Sequence, residues 1–151
     1  MNRLLGACDR RSSAGRRDFA IVLLLARLGL RAGEVAGLTL DDVDWRSGEI
    51  VVRGKGDRRE RLPLPDDVGR AIAGYLQWGR PATAQGRLVF VRLKAPHCRL
   101  TSEAVSMVVA TAARRAGLGR VGAHRLRHTA ATQVCTPAST PPSSPYGLAA
   151  P

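Results

Sequence analysis

Apolar residues crowd nearly every face of the stretch "RDFAIVLLLARLGL", from Arg17 to Leu30, which predicts a buried helix with Gly29 as its stop. The following "RAGEVAGLTL" opens at Arg31 and predicts a second short helix with Val35 and Leu38 among its apolar positions. "DDVDWRSG" reads as a turn-rich link. The period then changes. In "EIVVRGKGDRRERLPLP", Ile50, Val51 and Val52 are β-branched, Gly54-Lys55-Gly56-Asp57 form a turn, and a second arm runs through Leu62 to Pro65. That pattern predicts a β-hairpin with Lys55 at its glycine-flanked tip. Pro65-Asp66-Asp67 starts a helix bearing Val68, Ile72 and Leu76. Thr101 or Ser102 caps another, with Glu103 in its first turn and Val105, Val108, Val109, Ala112 and Ala113 on one stripe before Gly117.

"GAHRLRHTAATQV" predicts one more helix, with Leu126 and Ala130 inward. After Val134 the chain becomes "CTPASTPPSSPYGLAAP", which has no apolar period and cannot build a core element. Residues 1–14 are short, basic and Ser-containing, and read as a flexible lead-in. The expected organisation is therefore a lead-in over 1–14, one α+β domain over 15–134, mainly helical with a small antiparallel hairpin or sheet, and a disordered tail over 135–151.

Composition narrows the class. With 151 residues the chain suits one ordinary domain, and 44% apolar content is enough for a core. The 24 Lys+Arg against 12 Asp+Glu give a net charge of +12. Such an excess points to a polyanionic partner, most commonly nucleic acid, although arginine-rich usage also follows from a GC-rich genome. Cys8, Cys98 and Cys135 are too far apart for a disulfide framework or a CxxC zinc knuckle, so a reducing cytoplasm is expected. The most apolar run carries Arg27 and is too short for a membrane span. Leu5-Gly6-Ala7-Cys8 resembles a lipoprotein cleavage site only faintly, since no apolar segment precedes it.

Few residues carry candidate chemistry. His124 and Arg127 share a helix face at i, i+3; a guanidinium grips phosphate oxygens as a planar fork while an imidazole moves protons near neutral pH. Contact with a nucleic-acid backbone alone explains the same pair. His128 leaves a third reading, in which His124 and His128 grip a metal at i, i+4, though no third ligand stands nearby. Arg31 lies beside glycines with Glu34 three positions on, so it is either an arginine anchored by Glu34 and aimed into a cleft or a surface residue at a helix start. Lys55 suits a mobile phosphate contact or general acid as well as a solvated turn.

Three segments taken in order, "LARLGLRAGEVAGLTLDDVDW", "IVVRGKGDRRERLPLP" and "GAHRLRHTAAT", resemble the catalytic domain of the tyrosine recombinases, the phage-integrase and Xer-like family, over roughly Arg17 to Val134. The resemblance implies that Arg31, Lys55, His124 and Arg127 are catalytic, that duplex DNA is the substrate, and that no metal or cofactor is needed. It implies a tyrosine that attacks a phosphodiester to leave a 3′-phosphotyrosyl link. Arg31 and Arg127 would clamp the transition-state charge, Lys55 would protonate the leaving 5′-hydroxyl, and His124 would assist proton transfer or hold the phosphate. His128 and Thr129 fall on the family's "RHT" continuation.

The chain departs from the family after Val134. The family's nucleophile and a second His or Trp belong to later helices, whereas here the later tyrosine, Tyr146, sits between Pro145 and Gly147 in the tail, and Tyr75 has no motif around it. An amino-terminal DNA clamp is missing as well. These departures lead to the expectation of a catalytic domain truncated at both ends, through a frameshift near codon 134, and inactive alone. Such a chain would be marginally stable, with Leu126 or Val105 partly uncovered. A DNA-binding remnant and a metal nuclease are the competing readings. By resemblance the partners are duplex DNA and other recombinase subunits in a tetramer, which could restore activity in trans, and no membrane; a nucleoid-associated, cytoplasmic place follows.

Overall fold

In a computed structural model, which describes residues 2–122, the Ser12 hydroxyl accepts the N–H of Gly15 at 2.9 Å and starts the long helix α2, Ser13–Leu28. The helix ends where Gly29 adopts a left-handed φ of 66° and returns its N–H to Leu25, a turn that glycine makes without steric cost. Every residue from Ala20 to Ala26 is buried, so α2 is the central core element, packed against α4 and α5. Each such aliphatic side chain contributes roughly 1.5–3 kcal/mol by leaving water.

The short helix α3, Ala32–Ala36, follows at once, with Val35 inside and Leu38 buried just beyond its end. Strand β2, Glu49–Arg53, turns Ile50 and Val52 inward and pairs antiparallel with β3, Arg59–Pro63, in the register Val52 opposite Glu60 and Arg53 opposite Arg59. This is the expected hairpin. Its edge strand β3 is largely exposed, with only Leu62 half-buried. The expected link "DDVDWRSG" holds more structure than a loop. Leu40–Asp42 form a 3-10 turn, and β1, Val43–Asp44, adds a third strand to give the order β1-β2-β3. The β1–β2 turn closes on Asp44, whose carboxylate accepts the N–H groups of Arg46 and Ser47.

Helix α4, Asp66–Gly74, buries Val68 and Ile72 as expected, and Leu76, beyond its end, is partly buried against the core. The backbone widens into a π-helical turn over Tyr75–Gly79, and it is Tyr75 that drops into the core, fully buried and stacked on Phe90 with centroids 5.4 Å apart. Helix α5, Ser102–Arg115, is capped by the Thr101 hydroxyl, which accepts the N–H of Ala104, and its valine and alanine stripe faces α3 and α2. Val105, one of two positions expected to lose cover, is 0% exposed; α2 and α3 already seal it.

Residues 2–14 also correct the expectation of a flexible lead-in. Helix α1, Asn2–Gly6, packs on α5, Leu4 and Cys8 are buried, and Arg3 donates to the carbonyl of Ala116 at 3.2 Å. The physical reason is apolar burial: Leu4 in α1 and Cys8 in the bend that follows close the end of the core. The helix expected over residues 122–134, with its inward Leu126 and Ala130, lies almost wholly outside the described residues, as does the tail with Cys135 and Tyr146. Among the described residues, no helix is long and apolar enough to cross a membrane.

Candidate functional site

Arg31 stands at the N-cap of α3 in extended backbone, directly after the buried Leu30, and its side chain is exposed. Glu34 anchors this residue, though not through an ion pair: its carboxylate accepts the backbone N–H of Arg31 at 2.8 Å. The guanidinium is thereby left to face outward from a fixed backbone. This is a helix-capping contact of the kind that fastens the first turn of a helix.

The same glutamate meets the hairpin. A β-carbon built on Gly54 would lie 3.8 Å from Glu34 Oε1, an ordinary van der Waals distance, so the β2–β3 tip runs close beside α3 at this glutamate. Gly54 donates its N–H to the Arg58 carbonyl at 2.7 Å, and Gly56 takes a φ of 75°, which closes the tip around Lys55. Lys55 is exposed. Two segments remote in sequence, the start of α3 at Arg31 and the β2–β3 tip at Gly54, thus come together beside Glu34. His124, Arg127 and His128 lie outside the described residues.

Behind Glu34 opens a cleft of about 250 Å³ lined by Gly33, Glu34, Gly37, Asp42, Arg53 and Arg99. Asp42 is the buried charged residue of the described chain. One of its oxygens takes the Arg53 guanidinium at 3.2 Å and the other accepts the Thr39 N–H at 3.0 Å. Since Arg53 is the last residue of β2, this pair fastens the strand immediately before Gly54 and Lys55. Arg99 enters from the segment before α5, where Val91 and Arg99 form an isolated bridge. Sequence reasoning singled out none of Asp42, Arg53 and Arg99. A repeated acidic pair, Asp41-Asp42, was the available signal for the first; nothing local marks the other two.

Other titratable groups stand apart from this region. Burial pushes the Cys8 thiol up to about 11, with a further push from Asp18. The Tyr75 hydroxyl is raised, chiefly by burial, and accepts the Val91 N–H at 3.5 Å, so this tyrosine is a core residue. Asp41 is held below its ordinary range by its hydrogen bond from Arg87. No group of three or more His, Cys, Asp or Glu side chains that could hold a metal occurs among the described residues.

Comparison with known proteins gives the geometry a context. The phage integrase family pattern matches residues 1–137. The integrase/recombinase-type protein y4rA of Sinorhizobium fredii is 46% identical over 137 residues, covering 89% of this chain and 33% of its own length. The tyrosine recombinase XerD of Neisseria meningitidis is 34% identical over 137 residues, covering 89% of this chain and 46% of its own. The crystal structure of XerA recombinase superposes with a TM-score of 0.75 at 30% identity, covering 88% of this chain and 46% of that one. The chain spans between 32% and 69% of the length of the first relatives that it matches.

Proposed function

The chain belongs to the phage integrase family, and from that premise we propose that it carries part of the catalytic domain of a tyrosine recombinase acting on duplex DNA. The observation that supports this reading most directly is that Glu34 holds the backbone of Arg31 and lies beside Gly54, the residue before Lys55. A phosphodiester reaction needs a fixed positive fork for the non-bridging oxygens and a proton donor for the leaving oxygen. Arg31 supplies the first on a capped helix start. Lys55 supplies the second on a hairpin tip whose backbone is fastened by Asp42 and Arg53 on one side and by Gly54 on the other.

In the proposed step a tyrosine oxygen bonds to phosphorus as the bond to the 5′-oxygen breaks, and Lys55 Nζ gives that oxygen its proton. Arg31 and Arg127 hold the charge that accumulates on the phosphoryl oxygens, and His124 holds the phosphate or assists the proton transfer. The phosphotyrosyl link keeps the energy of the broken bond for rejoining. The net charge of +12 supports backbone gripping of duplex DNA, in the nucleoid of a cytoplasm. We place 135–151 as a tail that follows the recombinase part. Assembly with other recombinase subunits on DNA belongs to the same proposal.

A second reading, a chain that binds duplex without cutting it, draws on the burial of Tyr75, which takes that tyrosine out of reach of any DNA phosphate. A nicked duplex that traps the covalent intermediate separates the two. Strand cleavage by this chain gives a protein–DNA adduct that survives denaturing electrophoresis and forms equally well in chelator. Binding without an adduct selects the second reading, and an adduct that vanishes in chelator contradicts both.

A further inference from the structure

Arg99 is exposed at the mouth of the α3 cleft, and its guanidinium makes no hydrogen bond or ion pair with any described residue. It is nevertheless placed. A β-carbon on Gly37 would lie 3.3 Å from Arg99 Nη2, so Gly37 leaves the room that the guanidinium occupies. The two carboxylates that share the cleft are engaged elsewhere. Glu34 accepts the Arg31 N–H, and both oxygens of Asp42 are taken by Arg53 and by the Thr39 N–H. Arg99 therefore offers a planar fork of donors without an acceptor, on a surface where the backbone is uncovered: nothing lies within 4 Å of a β-carbon built on Gly33.

Helix α3 separates Arg31 from the place of Arg99 by a short span. Arg31 caps the N-terminus of α3 and Gly37 its C-terminus, a span of about 9 Å at helical rise. Duplex DNA carries a phosphate per strand at roughly every 3.4 Å of axis, so that span corresponds to two or three nucleotides. We propose that Arg99 is a DNA-positioning contact, a second phosphodiester subsite that holds the backbone a few nucleotides from the phosphate at Arg31. The inference rests on the DNA reading given above. It adds a residue that fixes the register of the duplex against α3 without touching the reacting atoms.

Fluorescence anisotropy with a labelled duplex of about thirty base pairs tests it, with binding measured across a series of salt concentrations. Removing one phosphate contact lowers the slope of log K against log salt by about 0.9 and weakens binding roughly tenfold at low salt. We expect that loss for Arg99→Ala and Arg99→Gln, and a slope close to that of the parent chain for Arg99→Lys, which keeps the charge and the stem. Arg46→Ala removes the same charge from the exposed β1–β2 turn, at the opposite end of β2 from the tip, and serves as the control. A smaller change for Arg46→Ala supports the subsite. Equal changes for the Arg46→Ala and Arg99→Ala chains overturn it while leaving DNA binding intact. Failure of the parent chain to bind duplex at all overturns the DNA reading itself and the subsite with it.

Discussion

Asp41 and Asp42 are neighbours in sequence, each facing an arginine, and they stand in opposite environments. Asp41 meets Arg87 on the surface with both carboxylate oxygens, at 2.6 and 3.3 Å, where water and salt screen the pair. Asp42 is buried, and its loss strands Arg53 and the Thr39 N–H together. Urea denaturation of Asp42→Ala is expected to show a loss of about 2 kcal/mol, while Asp41→Ala leaves the midpoint nearly unchanged. Cys8 and Cys98 contrast in the same way. With its thiol pushed up to about 11, Cys8 stays protonated and sheltered at neutral pH, whereas Cys98 is exposed. Peptide mapping after brief iodoacetamide treatment should find Cys98 alkylated well before Cys8. The unfolded Cys8 thiol loses its proton first, near its ordinary value of 9.0, so its contribution to stability is lost as the pH rises from there through about 11. Arg31 and Lys55 were legible in the sequence because each sits inside a local signal, a helix start and a glycine-flanked turn. Asp42 pairs with Arg53 eleven residues away, across a turn and a strand, and Arg99 reaches the cleft from the segment before α5, so no local motif marks any of them.

The elements that the sequence predicted well are those whose cause is local. The Thr101 cap, the Gly29 stop and the β-branched hairpin arm each depend on neighbours a few residues away. Misread elements depend on tertiary cover. β1 exists because Val43 lies opposite Ile50, and α1 because Leu4 and Cys8 find the end of the core. The π-helical turn that buries Tyr75 depends on Phe90, which arrives from a later segment. The junction of α1 and α2 offers a direct check on the docked lead-in. A β-carbon on Gly15 would collide with the carbonyl of Asp9. Gly15→Ala improves helix propensity by about 1 kcal/mol, yet a docked junction makes it destabilising by roughly 2 kcal/mol or more, read from thermal or urea melts. A stabilised variant would show that residues 2–14 do not pack against α2.

At the scale of the molecule, a net charge of +12 and a family pattern over residues 1–137 set the context in which the small site has meaning. The charge alone names a class of partner, and the order of three short motifs names a family. Neither says that the segments carrying Arg31 and Lys55 lie side by side. That nearness is a property of the fold: Glu34 accepts the Arg31 N–H and lies beside Gly54 in the β2–β3 tip. The most direct test is a double-mutant cycle on duplex DNA affinity, with Arg31→Ala, Lys55→Ala and the two combined. If both side chains hold one phosphate, the double variant departs from the sum of the single losses by at least about 0.5 kcal/mol. Losses that add to within about 0.3 kcal/mol would mean that the two residues act on separate parts of the DNA, and would contradict the assembled site.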